Sequence, residues 1–179
     1  MHYAATYPSP VGLLTLTSDG KCLTGLWIEG QKYFGETAPD TVVSQSDIPL
    51  FHAANDWLDR YFAGKKPAAN ELPLRPSGSE FRREVWGILC DIPYGSVITY
   101  GDIAKKMAAK MGRPHMSAQA VGGAVGHNPI SIIIPCHRVV GANGSLTGYA
   151  GGIDVKWKLL AREGVDTTRL SVPKSGAAL

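Results

Sequence analysis

The sequence lacks the features of several protein classes. Its three cysteines, Cys22, Cys90 and Cys136, form no Cys-x-x-Cys pair and are an odd number, which argues against a disulfide framework. No apolar run approaches the roughly 18 residues that a membrane span needs. The first residues show no basic stretch followed by an apolar run, as a signal peptide would. We therefore expect a soluble protein in a reducing compartment, the cytoplasm.

Charged residues are also scarce, at 18% of the 179 residues against the usual ~25%. Hydrophobic residues, at 44%, are typical of a globular protein and exclude a disordered or fibrous chain. Residues 1–78 hold six Lys or Arg against eight Asp or Glu, whereas residues 79–179 hold twelve against seven. An anionic partner would meet the second half, although ordinary scatter of charge over two domains explains these counts equally well.

Hydrophobic patterns divide the chain into two parts. Alternation over 14–17 and an apolar run over 23–28 predict strands, and the spacing of Phe51, Ala54 and Leu58 predicts a helix from Pro49. Prolines over 65–78 indicate a linker. We predict an α/β domain over 1–76, a mostly helical domain over 77–170 and a flexible tail over 171–179.

Three helix starts are predicted in the second part. Ser79 is an N-cap candidate, Thr99 with Asp102 resembles a capping box, and Ser117 begins a helix that runs to about residue 126. The last two helices, joined by a short Gly/Pro turn, form a helix-turn-helix candidate. Residues 118–126 are nearly all small, which fits tight packing inside the domain and a helix that enters a narrow groove equally well. Asn143-Gly144 predicts a hairpin, and a last helix from 153 has Ile153, Trp157, Leu160 and Ala161 on its apolar face.

The chemistry concentrates at Cys136, His137 and Arg138, which follow a buried apolar run and Pro135. Nearby positive groups favour a thiolate and lower the pKa of a cysteine from about 8.5. Three other interpretations are a metal site, an inert buried thiol and a cysteine peptidase. The first lacks ligand spacing, and the third takes its base from a distant part of the chain.

The run Pro135-Cys136-His137-Arg138-Val139 resembles the active-site signature of the O6-alkylguanine-DNA alkyltransferases. The resemblance covers most of residues 79–165. It extends to the recognition helix (residues 120–124), the asparagine hinge (Asn128-Pro129), the active-site loop (residues 149–152) and the end of the last helix (Glu163-Gly164). It implies a ribonuclease-H-like α/β N-terminal domain and a winged helix-turn-helix-like, mostly α C-terminal domain. The implied function is direct repair of O6-alkylguanine in duplex DNA after base flipping, with O4-alkylthymine as a second candidate substrate.

The resemblance also implies a role for each site residue. Cys136 is the nucleophile and irreversible alkyl acceptor, His137 takes its proton through a water, and Glu163 orients the imidazole. Tyr100 donates to the leaving base, and Asn128 ties the hinge to the site. Further residues bind the substrate base: Val139, Tyr149, Ala150 and Gly151. Others contact the DNA minor groove: Ser117, Ala118, Gln119, Ala120, Gly122, Gly123 and Arg138. We expect a monomer that acts once per molecule, with no cofactor and no membrane partner.

The sequence departs from the family pattern at two places. Gln119 stands where the family most often has an intercalating arginine, which puts the filling of the gap left by the flipped base in doubt. The zinc that some members hold in the N-terminal domain has only His2, Cys22 and His52 as candidate ligands, so we expect no metal. Two alternatives remain: a protein that binds alkylated bases without repairing them, and a helix-turn-helix regulator. The cysteine–histidine pair argues against both.

Overall fold

A computed structural model describes residues 1–173, so positions 174–179 of the predicted tail lie outside the described residues. The chain forms two compact units. The first comprises Met1–Gly78 and Pro129–Ile134, and the second comprises Ser79–Asn128 and the chain from Pro135 onward. Ser171, the first residue of the predicted tail, bridges to Ser145. Within residues 1–173, no helix has the length and apolarity needed to cross a membrane.

The first unit is built on a four-stranded sheet. Its strands are β1 (Tyr3–Ser9), β2 (Gly12–Ser18), β3 (Leu23–Ile28) and β4 (Val43–Ser44), in the order β3-β2-β1-β4. The first three pair antiparallel and β4 pairs parallel to β1. Both predicted strands are confirmed, as is the helix α1 (Pro49–Phe62), whose apolar face is buried. Strand β1 was not predicted, because its residues show no apolar alternation and are at most half-buried.

Residues 129–134 lie in the first unit although both flanking segments belong to the second. The Leu26 N–H donates to the Pro129 carbonyl at 2.8 Å, and the Ser131 N–H donates to the Leu26 carbonyl at 2.8 Å. The chain then reverses at Ile132, which has φ +70°. The turn is closed by the bond from the Ile133 N–H to the Ser131 carbonyl at 2.8 Å. A β-branched residue rarely adopts such a φ, so this turn holds Ile132 under strain.

The second unit is mostly helical. Its helices are α2 (Glu80–Cys90), α3 (Tyr100–Lys110), α4 (Ala118–Gly126) and α5 (Ile153–Arg162), and its two short parallel strands are β5 (Ile98–Thr99) and β6 (Val139–Val140). The three predicted starts are confirmed. Ser79 caps α2, Thr99 and Asp102 form a capping box on α3, and Ser117 caps α4. The Trp86 indole N–H donates to the Ala124 carbonyl at 2.8 Å, which ties α4 to α2.

Two expectations for the last third of the chain need correction. Asn143 and Gly144 do have the positive φ of a hairpin turn, at +59° and +77°. The strand before them, β6, nevertheless pairs with β5 instead of forming a hairpin. On the predicted apolar face of α5, Ile153 and Leu160 pack in the core as expected, but Trp157 is 45% exposed whereas Lys156 is fully buried. Helical spacing locates the buried face of a helix only to within one residue. In this helix the buried residue is Lys156, not its neighbour Trp157.

Candidate active site

Cys136 begins a short 3₁₀ helix (Cys136–Arg138) and is only 4% exposed. Its side-chain partner is Asn128, whose Nδ2 donates to the cysteine Sγ at 3.1 Å. Asn128, which follows α4, is also 4% exposed. The reversal of the chain at Ile132 lets these two side chains, eight positions apart, meet. The structure therefore places the Asn128 amide, together with nearby backbone N–H groups, against a buried sulfur.

The protonation of this sulfur differs from the sequence-based expectation. Burial raises the pKa of the Cys136 thiol above its usual value, although the Asn128 amide, the Lys156 ammonium and nearby backbone N–H groups act in the opposite direction. The prediction that neighbouring positive charge lowers this pKa is therefore wrong, because desolvation outweighs the charges. At rest the sulfur is a thiol, so its use as a nucleophile requires a base.

A base lies at the next position. The buried His137 donates from Nε2 to Glu163 Oε1 at 2.6 Å. This bond leaves Nδ1 as the acceptor nitrogen of the neutral ring. Burial lowers the pKa of His137, against the opposing effect of Glu163, so the imidazole rests neutral. A neutral imidazole oriented by a carboxylate can accept a proton.

Glu163 follows α5, and its side chain is fully buried. Its Oε1 accepts from His137, as described, and from Arg138 Nη2 at 3.0 Å, and its Oε2 accepts from Arg138 Nε at 2.9 Å. The Gly95 N–H adds a longer bond to Oε2 at 3.3 Å. Burial alone would raise the pKa of Glu163, but the bonds from His137 and Arg138 outweigh it and lower the value to about 2. The carboxylate is thus ionised at neutral pH.

Two tyrosines and a lysine form the other side of the site. The Tyr100 hydroxyl donates to the Thr147 carbonyl at 2.9 Å, and Lys156 Nζ donates to the same oxygen at 2.9 Å. Lys156 Nζ lies 5.8 Å from the centre of the Tyr100 ring and 5.9 Å from that of Tyr149. Burial raises the pKa of both tyrosines. The buried Tyr149 hydroxyl has no hydrogen-bond partner within the described part of the chain.

Sequence reasoning missed Lys156. Burial lowers the pKa of this lysine to about 8, although the nearby Cys136 acts to raise it. Lys156 has no exposed area, which is unusual because lysine is almost never fully buried. Its position four residues after Gly152, one turn into α5, could have been recognised only with the correct phase of that helix.

The remaining residues expected at the substrate lie around this cluster. Val139 is buried in β6 and pairs with Ile98 of β5. Ala150 and Gly151 are half-buried in the segment between Tyr149 and α5. Among residues 1–173, no three His, Cys, Asp or Glu side chains lie close enough together to hold a metal ion.

Residues expected to contact DNA fall into two groups. Five are exposed on α4 or at its N-cap: Ser117, Ala118, Gln119, Ala120 and Gly123. Gly122 is buried in its own domain. Arg138 is not on the surface, as a DNA contact would be. It is only 8% exposed, and its guanidinium binds Glu163 and the Ile92 carbonyl.

The small residues of α4 are not explained by packing alone. An added Cβ at Gly123 or at Gly126 would meet no atom within 4 Å, and neither glycine has positive φ. Glycine inside a helix costs about 1 kcal/mol relative to alanine. The protein's own structure therefore gives no reason for glycine at these two positions.

Known proteins resemble this chain over most of its length. The sequence profile of the 6-O-methylguanine DNA methyltransferase ribonuclease-like domain matches residues 2–76, and that of the DNA binding domain of the same family matches residues 80–165. A methylated-DNA–protein-cysteine methyltransferase of Haemophilus influenzae is 41% identical over 162 residues, 90% of this chain and 86% of the relative. One from Mycolicibacterium paratuberculosis is 46% identical over 159 residues, covering 88% and 90% of the two chains.

Solved structures agree with these sequence matches. The crystal structure of Mycobacterium tuberculosis OGT in complex with DNA is 40% identical, with a TM-score of 0.79 over 94% of each chain. The structure of the Mycobacterium tuberculosis O6-methylguanine methyltransferase is 41% identical, with a TM-score of 0.75 over 98% of this chain and 97% of the other.

Proposed function

Since this chain belongs to the 6-O-methylguanine DNA methyltransferase family, we propose that Cys136 is the sulfur on which it receives the alkyl group. The protein binds DNA and repairs alkylated guanine directly, as a methylated-DNA–protein-cysteine methyltransferase. One observation carries the assignment of Cys136. The next residue, His137, is hydrogen-bonded to Glu163, with 2.6 Å between Nε2 and Oε1. Neither of the other two cysteines has a histidine beside it in the sequence.

The reaction starts with a proton transfer. Because the Cys136 pKa is raised by burial, the sulfur holds its proton until a base removes it. His137 takes that proton on Nδ1 through a water, while its Nε2 proton stays in the bond to Glu163. The ionised carboxylate stabilises the imidazolium that forms, which is the logic of cysteine–histidine–acid catalysis. The Asn128 amide holds the sulfur in position and stabilises the thiolate.

Alkyl transfer then follows as an in-line displacement. The thiolate attacks the alkyl carbon, the new C–S bond forms, and the bond from that carbon to O6 breaks with its electron pair passing to the guanine. Tyr100 lies at the site, and in this scheme its hydroxyl exchanges its bond to the Thr147 carbonyl for one donated to the leaving base. The products are unmodified guanine and an S-alkyl cysteine. No group in the site can remove the alkyl group from a thioether, so each molecule reacts once.

The substrate base must reach a buried sulfur, which supports extrusion of the base from the duplex. We assign its binding to Val139, Tyr149, Ala150 and Gly151. The Tyr149 hydroxyl supports this assignment, because it is buried with no partner among residues 1–173 and such a group is a strong candidate for a bond to a ligand.

For DNA binding we propose that α3 and α4 act as the helix-turn-helix of a winged domain, with α4 in the minor groove. That groove is only about 6 Å wide, so a helix can approach closely only where its side chains are small. The open space at Gly123 and Gly126 supports this placement. The small residues that allow this approach also include Ser117, Ala118, Ala120 and Gly122. Gln119 fills the gap left by the flipped base.

The remaining proposals concern the fold and the setting. We assign a ribonuclease-H-like topology to the first unit. We propose a monomer, because a reaction on one base needs one sulfur. A reactive thiol is best kept in a reducing compartment, which supports a cytoplasmic location.

The test uses the full chain and a duplex that carries one O6-methylguanine. We expect intact mass to show one added methyl group per protein chain, peptide mapping to place it on Cys136, and product to plateau at the amount of protein. Cys136→Ala should gain no mass, whereas the control Cys90→Ala, which changes an exposed cysteine, should react as the parent does. A second duplex with O4-methylthymine tests the other substrate. Binding without any mass change refutes the repair assignment.

A further inference from the structure

We infer that Arg138 is a positioning residue of the alkyl-transfer reaction: it balances the charge of Glu163, so that His137 stays neutral and free to accept the Cys136 proton. This inference rests on the proposed function. It also gives a role to a buried arginine that the scheme above leaves unused.

The guanidinium of Arg138 makes three hydrogen bonds inside the protein. Nε and Nη2 bind the two carboxylate oxygens of Glu163 at 2.9 and 3.0 Å, which is the bidentate fork geometry of a strong arginine–carboxylate pair. Nη1 donates to the Ile92 carbonyl at 2.6 Å. These bonds fix the position of the guanidinium, and the guanidinium fixes the position of the Glu163 carboxylate.

The carboxylate so held is shared with the base. Glu163 Oε1 accepts from both Arg138 Nη2 and His137 Nε2. The orientation of the imidazole therefore depends on the position of an oxygen that Arg138 fixes. Lysine could supply the charge at this place but not the planar two-point contact.

The charges of the cluster explain why the arginine matters for proton transfer. With Arg138 present, an ionised Glu163 and a neutral His137 sum to zero, and a proton on His137 would make a buried net positive charge. Without it, the lone buried carboxylate 2.6 Å away would draw a proton onto the imidazole. A histidine already protonated cannot take the proton of Cys136.

The surrounding groups reinforce this balance. Other titratable groups act on these three residues: Lys156 on His137, Tyr94 and Tyr149 on Glu163, and Cys90 on Arg138, while Cys136 acts on Lys156. Among them only Lys156 is a cation, and it acts on His137 in the same direction as Arg138. Burial is the largest cause that lowers the pKa of His137, and the charges of Arg138 and Lys156 lower it further. Together they outweigh Glu163, which acts to raise it. Arg138 also lies 5.7 Å over the Tyr94 ring, a cation–π contact that helps to hold the guanidinium in place.

The experiment measures single-turnover methyl transfer from O6-methylguanine DNA between pH 5 and 9, for the parent and for Arg138→Met. We expect the acidic limb of the rate profile to move up by about one pH unit or more in the variant, and the titration of His137 followed by NMR to move with it. Arg138→Lys should bring the limb most of the way back. Arg169→Met, which removes an exposed arginine of the same unit, is the matched control and should leave the limb in place.

A double variant separates charge from structure. Arg138→Met with Glu163→Gln removes both charges of the Arg138–Glu163 pair together, so neither partner is left buried without the other and the variant folds where the single variant is unstable. Its acidic limb should return toward the parent position, at a reduced rate. A rate lowered equally at every pH, with the His137 titration unmoved, overturns the inference and leaves Arg138 a purely structural residue. If instead the parent protein gains no methyl group, the proposed function fails, and the His137 titration still decides the role of Arg138.

Discussion

Replacing Gly123 by alanine should stabilise the protein and weaken its binding to DNA. Gly123 is exposed in the middle of α4, and an added Cβ there meets no atom within 4 Å. Alanine in a helix is favoured over glycine by about 0.5–1 kcal/mol. For a chain of this size we expect the melting temperature to rise by about 2–4 °C for each kcal/mol gained.

The effect on DNA should have the opposite sign. If α4 lies in the minor groove, the added methyl group takes space that the DNA occupies, and overpacking a close contact costs about 1–3 kcal/mol. The dissociation constant should therefore rise about 5- to 150-fold. The assay is a fluorescence anisotropy titration with lesion-bearing duplex at fixed salt, on the Cys136→Ala background, so that binding is measured without reaction.

Gly87 supplies a matched control. It is exposed in the interior of α2, and an added Cβ there also meets no atom within 4 Å. Gly87→Ala should stabilise the protein to a similar extent and leave DNA affinity unchanged. Equal affinities for the two variants would refute the close approach of α4 to DNA. A loss of stability in Gly123→Ala would instead indicate that the glycine serves packing within the domain.

Three other substitutions test the site. Lys156→Met should raise the free energy of unfolding by up to about 3 kcal/mol at pH 7, because burial lowers the lysine pKa from 10.5 to about 8 and the unfolded chain binds the extra proton. That gain should vanish as the pH rises through 8 to 10.5, and methyl transfer should slow; denaturation at several pH values checks the sign. Glu163→Gln should lower stability by about 3 kcal/mol at pH 7, a difference that is complete above pH 4.5 and disappears as the pH falls toward 2. Gln119→Arg should tighten DNA binding several-fold and steepen its dependence on the logarithm of salt concentration by about 0.9, whereas an unchanged salt dependence would place residue 119 away from DNA.

The helix starts could be predicted from the sequence because their signals are local. A serine or threonine that accepts a backbone N–H three residues later needs nothing from the rest of the chain, and Ser79, Thr99 and Ser117 all make that contact. The strand β1 could not be predicted in the same way. Its residues pair with β2 and β4 across the sheet, and that pairing, rather than their own composition, makes them a strand.

Lys156 shows a second limit of local patterns. The periodicity of α5 fits an apolar face centred on Trp157 almost as well as one that includes Lys156, and residue type favours the tryptophan. The structure buries the lysine because its ammonium has a carbonyl to bind and two aromatic rings to lie over. Those partners come from residues 100, 147 and 149, so no window confined to the helix contains them.

The pKa of Cys136 shows why adjacency in sequence misleads about charge. A 3₁₀ helix turns about 120° per residue, so Cys136, His137 and Arg138 point in three different directions although they are consecutive. The sulfur meets Asn128, while the imidazole and the guanidinium both reach Glu163, 26 and 25 positions away. The positive charge of Arg138 therefore pairs with the Glu163 carboxylate. Burial then dominates the pKa of the Cys136 thiol and raises it. A thiol that stays protonated until its base acts is less susceptible to oxidation and to alkylation by free reagents than a permanent thiolate at the same position.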